Sequence, residues 1–409
     1  MSARRPAVIF IFITLVLDIL GIGLVVPVLP KLVQHYQGGD VTAGSNVYGL
    51  LAALYALMQF LCAPLLGSLS DKYGRRPVIL ISLFGSAIDY FLIAFAPNLA
   101  WFVAARIVAG ITAANYAAAS AYIADVSPPE KRAANFGLIG AAFGIGFIIG
   151  PILGGLLAKF GGVKMPFFFA GALTLANWAY GWFVLPESLD QEHRRSFSWK
   201  RSNPVGALLA LRRFPALLGL VVTYFIAVLA HQVYPSIWVL YTGYRYHWTE
   251  LQTGLSLGAV GVMAGLVQGG LTKRVVGALG EKKTVQYGLA LAIFLYAAYG
   301  FATQGWMVYI CIFFGSLAGL VTPAVQSLMT QSVPRNEQGE LQGALTSLSS
   351  VAGVAGPLAT TRLFGYFVSD KAPLLMPGAP FFWSSLLMVL SLAIAVPSLK
   401  RIHKAPDVV

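Results

Sequence analysis

Long apolar runs separated by short polar segments make up almost the whole chain. Runs of about 20 apolar residues can each cross roughly 30 Å of hydrocarbon as a helix, which satisfies its own backbone hydrogen bonds. The pattern predicts an all-α membrane protein with 12 transmembrane helices. These segments lie near residues 7–30, 47–69, 77–96, 99–122, 135–158, 165–185, 215–240, 251–272, 284–302, 305–329, 340–362 and 378–397.

Composition supports this interpretation. Hydrophobic residues make up 57% of the chain and charged residues only 11%, against roughly 25% charged residues in a soluble domain. Mean hydropathy is +0.74. The first apolar segment is too long for a signal peptide and 11 more follow, so we expect it to be retained.

The net charge of +13 is distributed unevenly. If both termini are cytoplasmic, the inner loops carry 21 of the 28 Lys and Arg residues, an asymmetry that fixes membrane orientation and faces anionic lipid. A nucleic-acid partner is not expected, because basic residues are not interleaved with aromatic ones as such a surface requires. The partners that we expect are the bilayer, a small-molecule substrate and protons, with the chain acting as a monomer.

The two halves of the chain repeat each other at an offset of 206 residues. Gly150 and Pro151 match Gly356 and Pro357, and Gly74 matches Gly280. The repeat predicts two pseudo-symmetric six-helix bundles, residues 1–185 and 215–409, joined by a cytoplasmic linker at 186–214. Parallel repeats of this kind with a site between them are typical of rocking transporters.

Three charged residues lie inside the apolar segments. Counting the helical rise places Asp18, Asp89 and Arg106 at one depth. Each buried charge costs about 2.5 to 3.5 kcal/mol on insertion scales, so each needs a partner or a function. An ion pair that braces the helices would explain one acid, but two acids cannot both be neutralised by one arginine. We therefore predict that the three residues form a proton-coupling site.

Two motifs stand out. The loop "GSLSDKYGRRPVIL" carries Gly67, which would allow close helix approach, and acids and bases at a cytoplasmic helix end; its second-half copy is "GALGEKKTV". The segment "GIGFIIGPILGG" places glycines on one helical face and a proline that would interrupt the hydrogen-bond ladder. The motif residues are Gly67, Asp71, Gly74, Arg75 and Arg76 in the loop, and Gly146, Gly150, Pro151, Gly154 and Gly155 in the helix.

The loop resembles the signature loop of the major facilitator superfamily, and the glycine segment resembles the motif that marks its proton-coupled exporters. "LVLDILGIGLVVPVLP", "YIADVSPPEKRA" and "FATQGWMV" narrow the resemblance to the tetracycline efflux proteins. The resemblance implies a proton-coupled drug antiporter of a bacterial inner membrane, without a cofactor. It assigns roles in transport to Asp18, Asp71, Arg75, Asp89, Arg106 and Asp125, and matches His247 to a family histidine.

One position departs from that family. Its acid in the ninth span has no counterpart, since Ala292 stands there, so we expect weak or absent tetracycline export and a different amphipathic substrate. A facilitator or a proton-coupled importer of a sugar or other metabolite is the alternative. An intramembrane aspartyl enzyme is disfavoured because neither Asp18 nor Asp89 follows a Gly-x-Gly sequence, and no metal-ligand cluster is apparent.

Further polar residues within the spans are candidates for substrate binding. Each has interhelical hydrogen bonding as its alternative role. They are Gln59, Asn115, His231, Gln268 and Gln326.

The charge asymmetry generates a test of topology. Cysteines introduced at Ser2 and Ser198, in a background without Cys62 and Cys311, should stay unlabelled by an impermeant thiol reagent in intact cells. A cysteine at Lys371, on the predicted outer side, should be labelled. Labelling of either inner position would overturn the predicted orientation.

Overall fold

The structure is a computed structural model and describes residues 8–113, 115–194, 196–197, 203–334 and 337–401. This part of the chain is helical and contains no β-strand. Short 3₁₀ turns and one π-helical turn, Val267–Leu271, connect the α-helices. The helices are α1 Val8–Val25, α2 Leu29–Tyr36, α3 Val41–Tyr73, α4 Arg75–Ala94, α5 Leu99–Thr112, α6 Asn115–Val126, α7 Pro129–Gly161, α8 Met165–Val184, α9 Pro204–Ala210, α10 Leu218–His231, α11 Val233–Tyr246, α12 Glu250–Leu266, α13 Thr272–Phe301, α14 Gly305–Ala318, α15 Val321–Gln331, α16 Gln338–Phe367 and α17 Ala379–Arg401.

The helical membrane architecture predicted from the sequence is confirmed. Ten helical stretches in the described chain are long and apolar enough to cross a membrane. The predicted spans at 251–272 and 340–362 are also helical, as α12 with its π-helical turn and as α16, but they are not among those ten. The count of 12 transmembrane helices therefore stays a prediction.

Four of the predicted spans are each divided into two helices, a feature that the hydropathy pattern did not reveal. The divided pairs are α1 and α2, α5 and α6, α10 and α11, and α14 and α15. Pro235 and Pro323 lie in the first turns of α11 and α15. A proline there removes a backbone donor and clashes with the preceding turn, so a continuous helix cannot pass through it undisturbed.

Helix boundaries confirm the internal repeat. Gly305, the first residue of α14, follows Leu99, the first residue of α5, by 206 positions, and their last residues, Ala318 and Thr112, keep the same offset. The backbone repeats as well: Gly74 and Gly280 have φ of 108° and 75°. Only a residue without a Cβ adopts this conformation readily, so each repeat breaks its chain at an equivalent glycine.

Equivalent carbonyls accept tyrosine hydroxyls in the two halves. Tyr36 donates to the carbonyl oxygen of Ala96 at 2.5 Å, just after α4. Tyr246 donates to the carbonyl oxygen of Ala302 at 2.9 Å, just after α13. These carbonyls lie at helix ends, where they lack a partner within the helix, and each tyrosine supplies one.

Contacts divide the chain into two compact units. Unit 1 comprises residues 1–40, 54–203 and 248–262, and unit 2 comprises 41–53, 204–247 and 263–409. The first part of α3 thus belongs to unit 2, and most of α12 belongs to unit 1. The predicted division at residues 185 and 215 is not tested by this grouping and stays a prediction.

Small residues bring helices together inside each unit. In unit 2, Ser384 and Ser391 of α17 donate to carbonyl oxygens of α10, those of Ala230 at 3.0 Å and Thr223 at 3.2 Å. The serines are seven residues apart, two helical turns, and so share one face. In unit 1, Asn177 of α8 donates to the carbonyl oxygen of Thr14 in α1 at 2.9 Å. Interhelical bonds of this kind replace the hydrophobic driving force that lipid does not provide.

Candidate functional site

A buried ion pair lies inside unit 1. Nη2 of Arg106, in α5, donates to both carboxylate oxygens of Asp89, in α4, at 2.5 and 2.6 Å. Only 5% of the Asp89 side chain and 14% of the Arg106 side chain are exposed. Leaving either charge alone in this environment would cost several kcal/mol, because removing one partner of a buried pair typically costs about 3 to 5 kcal/mol.

Asp18 joins the same polar cluster. It is buried on α1, with 8% of its surface exposed, and interacts electrostatically with Tyr55 and Tyr90. Both tyrosines also interact with Asp89 and Arg106, and the Arg106 guanidinium lies 5.8 Å from the centre of the Tyr55 ring. Asp18 and the Asp89–Arg106 pair thus surround the same two tyrosines.

Arg106 has hydrogen-bonding capacity beyond its pair with Asp89. Its Nε is buried, and within the described part of the chain no group accepts a hydrogen bond from it. An unpaired buried donor of a charged group is costly. Water, or a group that arrives during a transport cycle, could use this donor.

Arg75 ties together three helices at the signature loop. Its Nη1 lies 2.6 Å from Oδ1 of Asp71, at the end of α3, and 3.1 Å from the hydroxyl of Ser70. Its Nε lies 3.1 Å from Oδ2 of Asp125, at the end of α6. The Arg75 side chain is 12% exposed, so solvent screens these bonds less than those of a surface pair. The predicted loop residues thus form one charged junction.

Glu187, which the sequence analysis did not identify, completes this junction. Its carboxylate accepts hydrogen bonds from the backbone N–H groups of Arg75 at 2.8 Å and Arg76 at 3.2 Å. These are the first donors of α4, where a negative charge is stabilised by the helix dipole. A Cβ added to Gly74 would lie 2.3 Å from Oε2 of Glu187. Only glycine therefore fits this approach.

The last turn of α8 and the segment after it make two further contacts with the junction. Ser188 donates to Oδ2 of Asp125 at 3.1 Å, and Nη2 of Arg76 donates to the carbonyl oxygen of Trp182 at 2.5 Å. The predicted linker therefore begins as part of the signature-loop structure. In the sequence, Glu187 is simply an acidic residue that follows Pro186, and no nearby motif indicates which residues it contacts.

The prediction that Gly67 permits close helix approach is wrong for this structure. A Cβ at Gly67 would meet no atom within 4 Å. The small residue was read from its place in the loop motif, but no neighbouring helix of the described chain comes near it.

The glycine face of α7 packs directly on α1. A Cβ added at Gly146, Gly150 or Gly154 would lie 2.5 Å from the Ile19 side chain, 2.7 Å from Cα of Gly23 and 2.0 Å from the carbonyl oxygen of Leu24, respectively. These distances are too short for real Cβ atoms. The spacing of four residues keeps the glycines on one face, so the two backbones touch along two helical turns.

The opposite side of this face meets α12. A Cβ on Gly155 would lie 2.6 Å from Cα of Leu251, and one on Gly254 would lie 2.2 Å from the carbonyl oxygen of Pro151. The expected interruption at Pro151 does not divide the helix, because α7 runs continuously from Pro129 to Gly161. Here Pro151 forms part of the surface of α7 that packs on α12.

Comparison with known proteins identifies the family. The sequence profile of the Major Facilitator Superfamily matches residues 11–357. The chain belongs to the major facilitator superfamily. It is 39% identical over 398 residues to the class C tetracycline resistance protein of Escherichia coli, covering 97% of this chain and 96% of that protein.

Two other comparisons place the chain in the same group. The class B tetracycline resistance protein of Escherichia coli is 35% identical over 380 residues, with 92% of this chain and 90% of that protein covered. Among solved structures, the human organic anion transporter MFSD10 (TETRAN) superposes with a TM-score of 0.72 at 26% identity, covering 96% of this chain and all of that one.

The second half of this superfamily member keeps a junction with different chemistry. Glu281 accepts hydrogen bonds from the Ser327 hydroxyl at 2.5 Å and from Nε2 of Gln331 at 2.9 Å. Glu281 and Gln331 stand 206 residues after Arg75 and Asp125. The helix that follows the glycine break therefore carries the base in the first half and the acid in the second, and donor and acceptor have exchanged places.

The structure describes the side chains of three of the predicted substrate-binding residues. Gln326 donates to the hydroxyl of Tyr224 at 3.1 Å, and that hydroxyl bonds with the hydroxyl of Ser349 at 2.8 Å, so Gln326 makes interhelical bonds. Gln59 is half-buried on α3, and His231 is exposed at the end of α10. The side chains of Asn115 and Gln268 lie outside the described residues.

Packing along α7 predicts the effect of adding a methyl group. Gly154→Ala should force α1 and α7 apart and destabilise the protein by about 1 to 3 kcal/mol, the usual cost of overpacking. Gly144→Ala, on the same helix with no atom within 4 Å of its Cβ, is the matched control. Thermal unfolding in detergent measures both; equal melting temperatures for the two variants would contradict the close packing.

The role of Glu187 can be measured in the same way. Glu187→Ala removes the acceptor for two backbone donors, and the loss of a helix cap typically costs about 1 kcal/mol. We expect a lower melting temperature and slower transport at unchanged expression. Glu192→Ala removes an exposed acid of the same segment and should change neither the melting temperature nor the transport rate. If the Glu187 variant behaves like this control, the cap contributes to neither stability nor transport.

Proposed function

We propose that the chain is a proton-coupled antiporter that exports amphipathic drug-like compounds across a bacterial inner membrane. The observation that carries this proposal is the buried cluster of Asp18, Asp89 and Arg106. Asp89 already pairs with the guanidinium of Arg106, so ionisation of Asp18, which faces the same tyrosines, would leave an excess negative charge in a region of low dielectric constant. A proton on one acid removes that excess.

The two acids divide the work. Asp89 holds Arg106 through both oxygens and is best suited to brace α4 against α5. Asp18 lies on α1, the helix that packs against the glycine face of α7. We assign the exchangeable proton to Asp18. Moving its charge through 100 mV is worth about 2.3 kcal/mol, which suffices to bias an exchange cycle.

Protonation could be transmitted through Arg106. When Asp18 is ionised, it competes for the guanidinium whose Nε is available within the cluster. When Asp18 is protonated, Arg106 interacts with Asp89 alone. The change in Arg106 partners would then bias α1 and α5 between two arrangements, as charged groups at such sites do in other proton-driven transporters.

The signature-loop junction would brace one bundle in this cycle. Its bonds from Arg75 to Asp71 and Asp125 join the ends of α3, α4 and α6, and Glu187 adds the segment after α8. All of these residues lie in unit 1, so the bonds can persist while that bundle rocks. They are charge-assisted and would keep these helix ends moving together.

Several finer points belong to the same proposal. The relatives are resistance proteins, which supports export over the alternative of a facilitator or a metabolite importer. We place both termini in the cytoplasm, divide the chain into bundles 1–185 and 215–409 with a linker at 186–214, and take the monomer as the working unit. The coupling ion is the proton, with no other cofactor.

The test compares two carboxamide variants in proteoliposomes that carry a defined proton gradient. Asp18→Asn should abolish uphill export while downhill exchange of substrate stays measurable, because only the coupling is lost. Asp89→Asn should slow both, because Arg106 loses its buried partner. Asp40→Asn, which changes an exposed acid, is the control.

Other outcomes have definite meanings. If Asp89→Asn uncouples transport and Asp18→Asn does not, the two roles are reversed. If both variants pump at the rate of the unchanged protein, the carboxylates are structural braces and the antiport proposal is overturned.

A further inference from the structure

His231 is exposed at the break between α10 and α11 in unit 2. Along α10, the only exposed residues are Leu218 at the start of the helix and His231 at its end; all others are buried or half-buried. The break lies near the middle of the candidate span Pro215–Tyr246. An exposed imidazole at mid-span therefore requires an explanation.

Exposure of His231 to lipid is inconsistent with its surroundings. Helices on the lipid side expose large apolar side chains along their length, as α13 does with Phe294 at 73% and α17 with Leu386 at 66%. α10 shows no such row. An imidazole facing hydrocarbon would also be costly, since polar side chains within spans face protein or water. His231 therefore faces an internal, water-accessible space.

Tyr234 supports His231 from one side and joins it to a layer of aromatic rings. The His231 and Tyr234 rings meet edge to face with centres 5.2 Å apart. Tyr234 also packs on Tyr296 at 5.3 Å and on Tyr299 at 5.5 Å. Trp238 lies at 6.0 Å. Because Tyr234 is half-buried while Tyr296 and Tyr299 are buried, Tyr234 forms the accessible surface of this layer.

The Tyr234 ring packs on Tyr296 on its buried side. The half-buried ring of Tyr234 and the imidazole of His231 are therefore what this wall, defined as His231 and Tyr234, offers to a ligand. Tyr296 lies one helical turn after Ala292, on the same buried face of α13. The buried face of α13 thus carries the methyl group of Ala292 next to a layer of aromatic rings.

We propose that His231 and Tyr234 form a recognition site for a planar aromatic ring system of the exported compound. The compound stacks on the Tyr234 ring, and the imidazole hydrogen-bonds to its polar edge. Aromatic faces at this spacing favour offset or edge-on stacking. Neither residue is an acid, so the wall offers ring contacts and a hydrogen bond rather than a salt bridge to a cationic compound. The inference rests on the proposed function only for the direction of transport; binding itself does not depend on it.

The experiment measures binding to the purified protein without a proton gradient. The probes are acridine orange, a planar aromatic cation, and dodecyltrimethylammonium, a cation without a ring. The variants His231→Ala and Tyr234→Leu should weaken binding of acridine orange about tenfold, the loss expected for one stacking contact or hydrogen bond. Binding of the alkyl cation should fall by a smaller factor, because it can make a cation–π contact with the Tyr234 ring but cannot stack on it.

Matched variants separate recognition from folding. Tyr234→Phe keeps the ring and should retain the affinity for acridine orange. His35→Ala and Tyr287→Leu change exposed residues away from the wall and should bind as the unchanged protein does. Quenching of tryptophan fluorescence reports binding, and Trp238→Phe should remove the part of the signal that arises beside Tyr234.

Several results would overturn the proposal. Equal losses for both probes would show a general defect, unchanged acridine orange binding in both variants would show that the wall is not a site, and no binding of acridine orange to the unchanged protein would exclude this ligand class. Failure of the antiport proposal has a different signature: acridine orange still binds, with its affinity reduced in the wall variants, but no proton-driven export is found.

Discussion

The buried pairing of Asp89 with Arg106 is the constraint on which the rest of unit 1 depends. Asp89 and Arg106 are inserted from adjacent helices into a region where neither charge is tolerated alone. Their bond fixes α4 against α5, and Asp18 brings α1 into the same cluster through Tyr55 and Tyr90. A proton is the smallest change that alters this charge balance, so the cluster is sensitive to the ion that drives transport.

A charge switch needs rigid helices around it if its effect is to reach the membrane surface. The glycines of α7 supply this rigidity, because backbones that touch at Gly150 and Gly154 leave α1 no freedom to shift alone. The junction of Arg75 with Asp71, Asp125 and Glu187 joins helix ends on one side of unit 1. Between these contacts, small displacements near Asp18 would move whole helices, since close-packed interiors shift between discrete arrangements.

Most of the fold could be predicted from the sequence because it is encoded locally. Length and hydropathy of each segment predict the spans, and the helical rise places Asp18, Asp89 and Arg106 together. Glu187, in contrast, acts on a helix more than 100 residues earlier, and nothing near it in the sequence names that partner. For Gly67 the opposite happened. Its motif predicted a close helix contact, but such a contact depends on the position of a neighbouring helix, which the motif does not determine.

The sequence pattern also did not reveal the divided helices or the exposed position of His231 in the wall. Hydropathy averages over a span and cannot register a break such as the one before Pro235. That break leaves His231 exposed at the end of α10, next to the start of α11. The two repeats have kept their helix bounds and their glycine breaks while changing chemistry, from Arg75 with Asp125 to Glu281 with Gln331. The first repeat holds the buried pair of Asp89 and Arg106, whereas the second places Ala292 and Tyr296 on one buried face of α13. This difference is consistent with our proposal that the first repeat holds the proton and the second contacts the compound.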